Sequence, residues 1–187
     1  QVHTDTARAQ PLPPVRRVNA PHFTGEVPYA EMAIFWFGQV NSTDNYADVR
    51  VGYNDEYLQI SVVAFDRYLW YDTTPDPDLN EWDGATLYLD QNGDGGSFPA
   101  PDDYRFAAQI NWWEARTDYQ MAFRGDGSDW VTASIPFTTT SGWRGSNFNN
   151  NDSGNDDRGW ALSFYIPFAS LDLPGPPADG VLWNLAL

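Results

Sequence analysis

An all-β, antiparallel β-sandwich with long acidic, aromatic-bearing loops is the fold class this sequence predicts. Two observations predict it. Apolar and polar residues alternate in nearly every segment from Ala33 onward, and no 3.6-residue apolar period persists over three turns. Between these segments stand clusters of Gly, Pro, Asn and Asp, the punctuation of strands. With 187 residues, 42% of them hydrophobic, one large sandwich can bury a substantial core.

Residues 1–32 hold five of the 14 prolines, in PLPP, APH and EVPYA. Proline removes ladder donors and keeps its predecessor extended, so this segment is expected to be an arm or linker lying against the fold. The domain proper is expected over residues 33–187. AIFWFGQV (33–40) reads as a short aromatic strand. ADVRVGY (47–53) alternates strictly, with Val49 and Val51 on one face and Asp48, Arg50 and Gly52 on the other. Asn54-Asp55 then turns the chain into EYLQISVVAFD (56–66), forming a hairpin.

The stretch 66–82 is a long loop whose prolines and acids oppose regular structure, yet it carries Tyr68, Trp70, Tyr71 and Trp82. Ala85–Leu89 is the next strand. YRFAAQINWW (104–113), YQMAFRG (119–125) and WVTASIPFTTT (130–140) continue the series. The polar stretch 141–159 reads as a loop. GWALSFYIPFASL (159–171) reads as a strand ending in one helical turn, and VLWNLAL (181–187) as a last strand that leaves an edge open to a partner.

Charge narrows the partners. With 26 acidic and 10 basic residues the net charge is −16, which disfavours nucleic acid and anionic membranes. No run of 18 apolar residues is present, so no membrane insertion is expected. Residues 1 onward show no charged segment followed by an apolar one, so the sequence reads as a mature chain. There are no cysteines, which removes disulfides, zinc-thiolate sites and thiol nucleophiles. His3 and His22 both lie in the arm, so a catalytic triad is not expected.

Asp90, Asn92, Asp94 and Gly95 match the first half of a calcium loop, where oxygens at i, i+2 and i+4 converge and glycine permits the turn. Pro101 stands where an EF-hand needs glutamate, so an EF-hand is rejected and Asp102 or Asp103 is expected to return the last carboxylate. Calcium is thus the expected cofactor. The other reading is a solvated Asx-rich turn bonding its own backbone. A second acidic loop, 149–157, offers Asp152, Asn155, Asp156 and Asp157 without ligand spacing. Glu31, Glu56, Glu81 and Glu114 are the candidates for a hydrolytic carboxylate pair, but no deep cleft is expected, so the chain reads as non-catalytic.

The aromatics are more telling. Trp70, Tyr71, Trp82, Trp112 and Trp113 are the expected ligand-binding rings, with Trp130 and Trp143 also near strand ends or loops. Ring faces stack on the C–H faces of sugars while neighbouring carboxylates bond hydroxyls; a wet protein interface uses the same residues. Alternation sends one of Trp112 and Trp113 inward. Trp36, Trp160 and Trp183 sit in strand patterns and read as core.

ADVRVGYNDEYLQISVVAFD, EWDGATLYLDQNGDGG, YRFAAQINWW, GWALSFYIPFASL and VLWNLAL, in that order, resemble the family 9 carbohydrate-binding modules and the wider DOMON-like superfamily over roughly residues 33–187. The resemblance implies an immunoglobulin-like sandwich, often calcium-bearing, in secreted multidomain proteins, extracellular or at the cell surface. Sugar-binding members carry a glutamate three residues after the aspartate matching Asp83; here Thr86 stands there. Their sugar lies between two tryptophans, one from the loop before this strand, for which Trp82 and Trp70 are candidates without a clean alignment, and the second has no counterpart to carry over, so the family's sugar site is not transferred to this chain.

Two functions follow as expectations. One is a non-catalytic carbohydrate-binding module stabilised by calcium, with a polysaccharide or glycan as partner. The other is a structural module of an extracellular or filamentous assembly, joined to identical subunits or further domains through its arm and open edge. A haem-binding DOMON role lacks axial ligands, since only His3, His22, Met32 and Met121 are available.

Overall fold

The computed structural model describes residues 17–38, 46–72, 74, 79–111, 115–145 and 157–187. Ten strands form two antiparallel sheets, and the only helical elements among these residues are three short 3-10 turns. The first sheet contains β1 (Ala33–Gly38), β2 (Tyr46–Tyr53), β3 (Tyr57–Phe65), β8 (Thr138–Gly145) and β9 (Asp157–Pro167), in the order β1-β2-β3-β9-β8. The second contains β4 (Gly84–Asp90), β5 (Asp103–Gln109), β6 (Gln120–Gly125), β7 (Trp130–Thr132) and β10 (Asn184–Ala186), in the order β10-β4-β5-β6-β7. This is the antiparallel sandwich that alternation predicts.

The core follows from that alternation. Val49, Val51, Ile60, Val62, Leu162, Phe164 and Ile166 line the inner face of the first sheet, and Leu87, Leu89, Tyr104, Phe106 and Ala108 that of the second. Phe137 bridges the layers, its ring 5.0 Å from Phe106 and 6.4 Å from Phe164. The β2–β3 turn is closed by Asn54, whose Oδ1 accepts the N–H groups of Glu56 and Tyr57 at 2.9 Å each. That is the Asx-turn mechanism by which asparagine favours such a place.

The arm packs tightly over its last dozen residues. The Phe23 N–H donates to the Tyr53 carbonyl at 2.8 Å and the Tyr53 N–H to Pro21 at 3.1 Å. Val27 and Met32 are buried. A Cβ at Gly52 would meet Val27 at 3.0 Å and Met32 at 3.2 Å, so the arm approaches where a side chain is missing.

The structure departs from the sequence expectation at several places, including the expected strands 104–113 and 181–187, which shorten to Asp103–Gln109 and Asn184–Ala186. WVTASIPFTTT is two strands in different sheets: β7 ends at Thr132 and β8 begins at Thr138. Pro136 lacks a donor, and the crossing lets Phe137 enter the core. β8 then runs on to Gly145 and β9 starts at Asp157, so both ends of the expected polar loop are strand. Pairing overrode composition there. Trp36, expected in the core, is 49% exposed beside Ile34 at 42%. Ala33 and Phe35 take the inward face of β1, which sends the alternate residues outward. Trp160 is buried and Trp183 packs against the core, as expected.

Candidate functional site

The 66–82 loop is fastened where it leaves and rejoins the sheets. Leu69, 1% exposed, plugs into the main core, and its N–H donates to Asp157 Oδ2 at 3.0 Å. One residue on, Trp70 and Asp83 are doubly tied. The Trp70 N–H donates to Asp83 Oδ2 at 2.9 Å, and the Asp83 N–H donates to the Trp70 carbonyl at 3.0 Å. Asp83 is fixed in turn by its carbonyl, which accepts the Ile110 N–H at 3.1 Å. Two loop segments thirteen positions apart thereby become neighbours, each carrying a tryptophan, Trp70 and Trp82, that is 37% exposed.

Other residues complete the scaffold. Asp72 is buried; its Oδ1 accepts the Thr74 N–H at 2.9 Å and its carbonyl accepts Asn111 Nδ2 at 3.1 Å. Leu79, at φ 56°, covers Ala107 and Phe123 on the outer face of the second sheet. Tyr68 is exposed, whereas Tyr71 packs partly buried against the main core. Trp112 and Trp113 lie outside the described residues, as do Glu114, Asp152, Asn155 and Asp156. Trp130 belongs to β7 and packs over Phe123, and Trp143 lies on β8 against the core.

Burial pushes the Asp83 carboxyl up to about 6 from 3.8. The Trp70 N–H opposes the shift, and the charges of Asp66 and Asp157 add to it. Desolvation outweighs the single donated hydrogen bond. Because the folded pKa exceeds the unfolded one, the fold binds more protons between these values. The associated stability is full below about pH 4 and lost as pH rises through 6. Asp83→Asn mimics the protonated form. The variant is therefore expected to gain stability over the native chain, in urea titrations, as pH rises from 4 to 7. A native-minus-variant difference that stays constant with pH would show that Asp83 titrates as an ordinary carboxyl.

The 90–96 loop is held by its own side chains. Asp90 Oδ1 accepts the N–H groups of Asn92 at 3.1 Å and Gly93 at 2.6 Å. Its Oδ2 accepts the Gly95 N–H at 3.0 Å and Asn184 Nδ2 at 2.9 Å. Burial pushes Asp90 up, but these donors outweigh it and hold the carboxyl below its usual range. Asn92 Nδ2 donates to Asp94 at 3.1 Å, and Asp94 Oδ1 accepts the Gly96 N–H at 3.0 Å. Asp103 is the cross-strand partner of Asp90, and its Oδ2 accepts the Ala100 N–H at 2.7 Å. Asp102 precedes it, and its carbonyl accepts the Gln91 N–H.

For calcium the donor chemistry fits, because every candidate ligand is a hard oxygen. Among the described residues no three Asp, Glu, His or Cys side chains gather as a ligand group. In this geometry the loop is the self-bonded Asx turn, and through Asn184 it ties β10 to the end of β4.

No family model matches the sequence, and no curated protein does. Solved structures do match. A family 9 carbohydrate-binding module from Caldicellulosiruptor kristjanssonii, in complex with cellotriose, superposes with a TM-score of 0.52 at 13% identity, covering 89% of this chain and 74% of that one. The same kind of module in complex with glucose gives 0.51 at 16%, covering 88% and 75%. A protein from Bacteroides uniformis gives 0.56 at 12%, covering 83% and 70%. The sandwich is family 9-like. At such identities the likeness is one of fold, and the family 9-like sandwich is a scaffold whose site is this chain's own.

Sequence reasoning singled out Trp70 and Trp82 but missed what joins them. Leu69 carried no motif, Asp157 was read only as part of the acidic 149–157 loop although it opens β9, and Asp83 stood out only as the residue opening a strand. The signal that finds them is cross-strand register, which a single sequence does not print.

Proposed function

We propose that this chain is a non-catalytic, extracellular or cell-surface β-sandwich module that binds glycan through Trp70 and Trp82. The observation that carries the reading is the double tie between Trp70 and Asp83, which fixes the two loop segments that carry the partly exposed Trp70 and Trp82 on a footing rooted in the core. Rigid, amphipathic rings lose little entropy on binding and stack on sugar C–H faces. The Caldicellulosiruptor modules, whose fold this chain shares, were solved with cellotriose and glucose. Thr86 replaces the family glutamate beside this loop, which points to a different glycan contact.

Calcium belongs to the finer part of the proposal, with Asp90, Asn92, Asp94, Asp102 and Asp103 as its oxygen donors. When bound, the ion supplies a structural staple between the β4–β5 loop and β10; the chain's residues bind the sugar.

Glycan arrays and titrations in calcium and in EDTA test both parts. Native protein is expected to bind at least one glycan, Trp70→Ala and Trp82→Ala to lose about tenfold each, about one stacking contact's worth. Calcium is expected to raise the melting temperature. Unchanged binding by both variants would overturn the indole site. A melting curve indifferent to EDTA would remove calcium alone.

One observation favours the assembly reading: Ile34 and Trp36 point outward from β1, an edge strand. That reading requires self-association, which sedimentation of concentrated protein decides.

A further inference from the structure

On the outer face of β5, Arg105 stands outside the ion pairs found among the described residues. Its guanidinium lies 3.6 Å over the Phe123 ring. Its Nε is buried and has no hydrogen-bond partner. The ion pairs among the described residues use His22, Arg50 and Arg124 instead. Arg116 likewise meets no carboxylate among the described residues, but its guanidinium donates to Thr139 and to the Asn111 carbonyl, whereas the buried Nε of Arg105 donates to nothing. Leaving such a donor desolvated is unfavourable until an acceptor arrives.

Its surroundings are aromatic. Register places Tyr88 directly across β4 and Phe123 directly across β6. Tyr88 is 37% exposed, and Trp130 stands 5.7 Å from it. Along the same outer face of β5, Gln109 is fully buried, and neither its Nε2 nor its Oε1 has a partner. A buried, unpartnered guanidinium N–H thus shares one sheet face with the exposed Tyr88 ring and with Trp130 beside it.

We propose that this face takes a carboxylated sugar, a uronate unit of an acidic polysaccharide. The planar guanidinium fork matches a carboxylate bidentately, a geometry that lysine lacks. Tyr88 and Trp130 offer ring faces to the sugar beside it. The inference rests on the glycan reading and extends it: from Gly84, beside Trp82, to Tyr88 is four residues of strand, about 13 Å. A single chain laid along β4 therefore meets the loop indoles and Arg105 in turn. The net charge of −16 opposes a polyanion at long range, but screening confines that to about 8 Å at physiological salt. Contact geometry decides.

Calorimetric titration in 0.15 M salt tests this with three probes: oligogalacturonate, its methyl ester, and a neutral cello-oligosaccharide. The acid is expected to bind at least tenfold more tightly than the ester. Arg105→Met, which keeps the stem on Phe123 and removes the charge, should bring the acid down to the ester's affinity and leave the ester unchanged. Arg105→Lys should fall between. If Arg105→Met does not fold, Tyr88→Ala serves: it should weaken acid and ester by the same factor. Equal affinity of native protein for acid and ester overturns the inference and leaves the glycan reading standing. Binding of none of the three probes defeats the glycan reading as well.

Discussion

Gly159→Ala is expected to lower stability by about 3–5 kcal/mol, combining a strained backbone with an overpacked one. Gly159 lies on β9 at φ 118°, a region that residues with a Cβ rarely adopt. A Cβ there would stand 1.9 Å from the Ala64 carbonyl oxygen and 3.1 Å from Phe65 Cα. These are backbone atoms of the neighbouring strand and have no rotamer to escape into. The kink follows a register shift between Arg144 and Gly145, where β8 pairs with Gly159 and then with Asp157. It therefore aims Asp157 at the Leu69 N–H and sets the base of the candidate site. Gly142→Ala, on β8 with nothing within 4 Å, is the control and should shift stability by less than about 0.5 kcal/mol. Urea midpoints of the two variants measure the contrast. Equal midpoints would show that the β9 backbone relaxes to admit a methyl group.

Leu69→Ala is expected to cost about 2–4 kcal/mol, within the range for deleting a buried leucine. The larger consequence is local. Leu69 holds the loop from inside, and Trp70 follows it directly. Without the plug, the Trp70–Asp83 tie must hold the loop by itself, with a desolvated carboxylate as one partner. Proteolysis within 66–82 should quicken, and glycan affinity should fall further than in Ile166→Ala, a core deletion on the distant stretch of β9. If both variants lose affinity equally, the loss reports global stability and the loop is not specially anchored.

The fold was legible because its causes are local. Val49 and Val51 must face one way if Asp48 and Arg50 face the other, and two-residue alternation says so without knowledge of any partner. Asn54 closes its hairpin with atoms three residues apart. Where the reading went astray, a nonlocal partner decided. Alternation shows that Trp36 opposes Phe35 but not which of them finds a second sheet. Composition made 141–145 look like loop, yet β9 supplied a ladder for it.

By itself, then, the sequence determined an antiparallel sandwich, its hairpin turn and the core faces of its central strands. Tertiary structure decided what those residues do together. It brought Trp70 to Asp83 across thirteen positions, bonded Asp90, Asn92 and Asp94 into their own turn, and set Arg105 between Tyr88 and Phe123, outside the ion pairs among the described residues. The physical reason is range: side-chain direction repeats every two residues, whereas neighbours across a sheet depend on register and loop closure, which distant segments fix jointly.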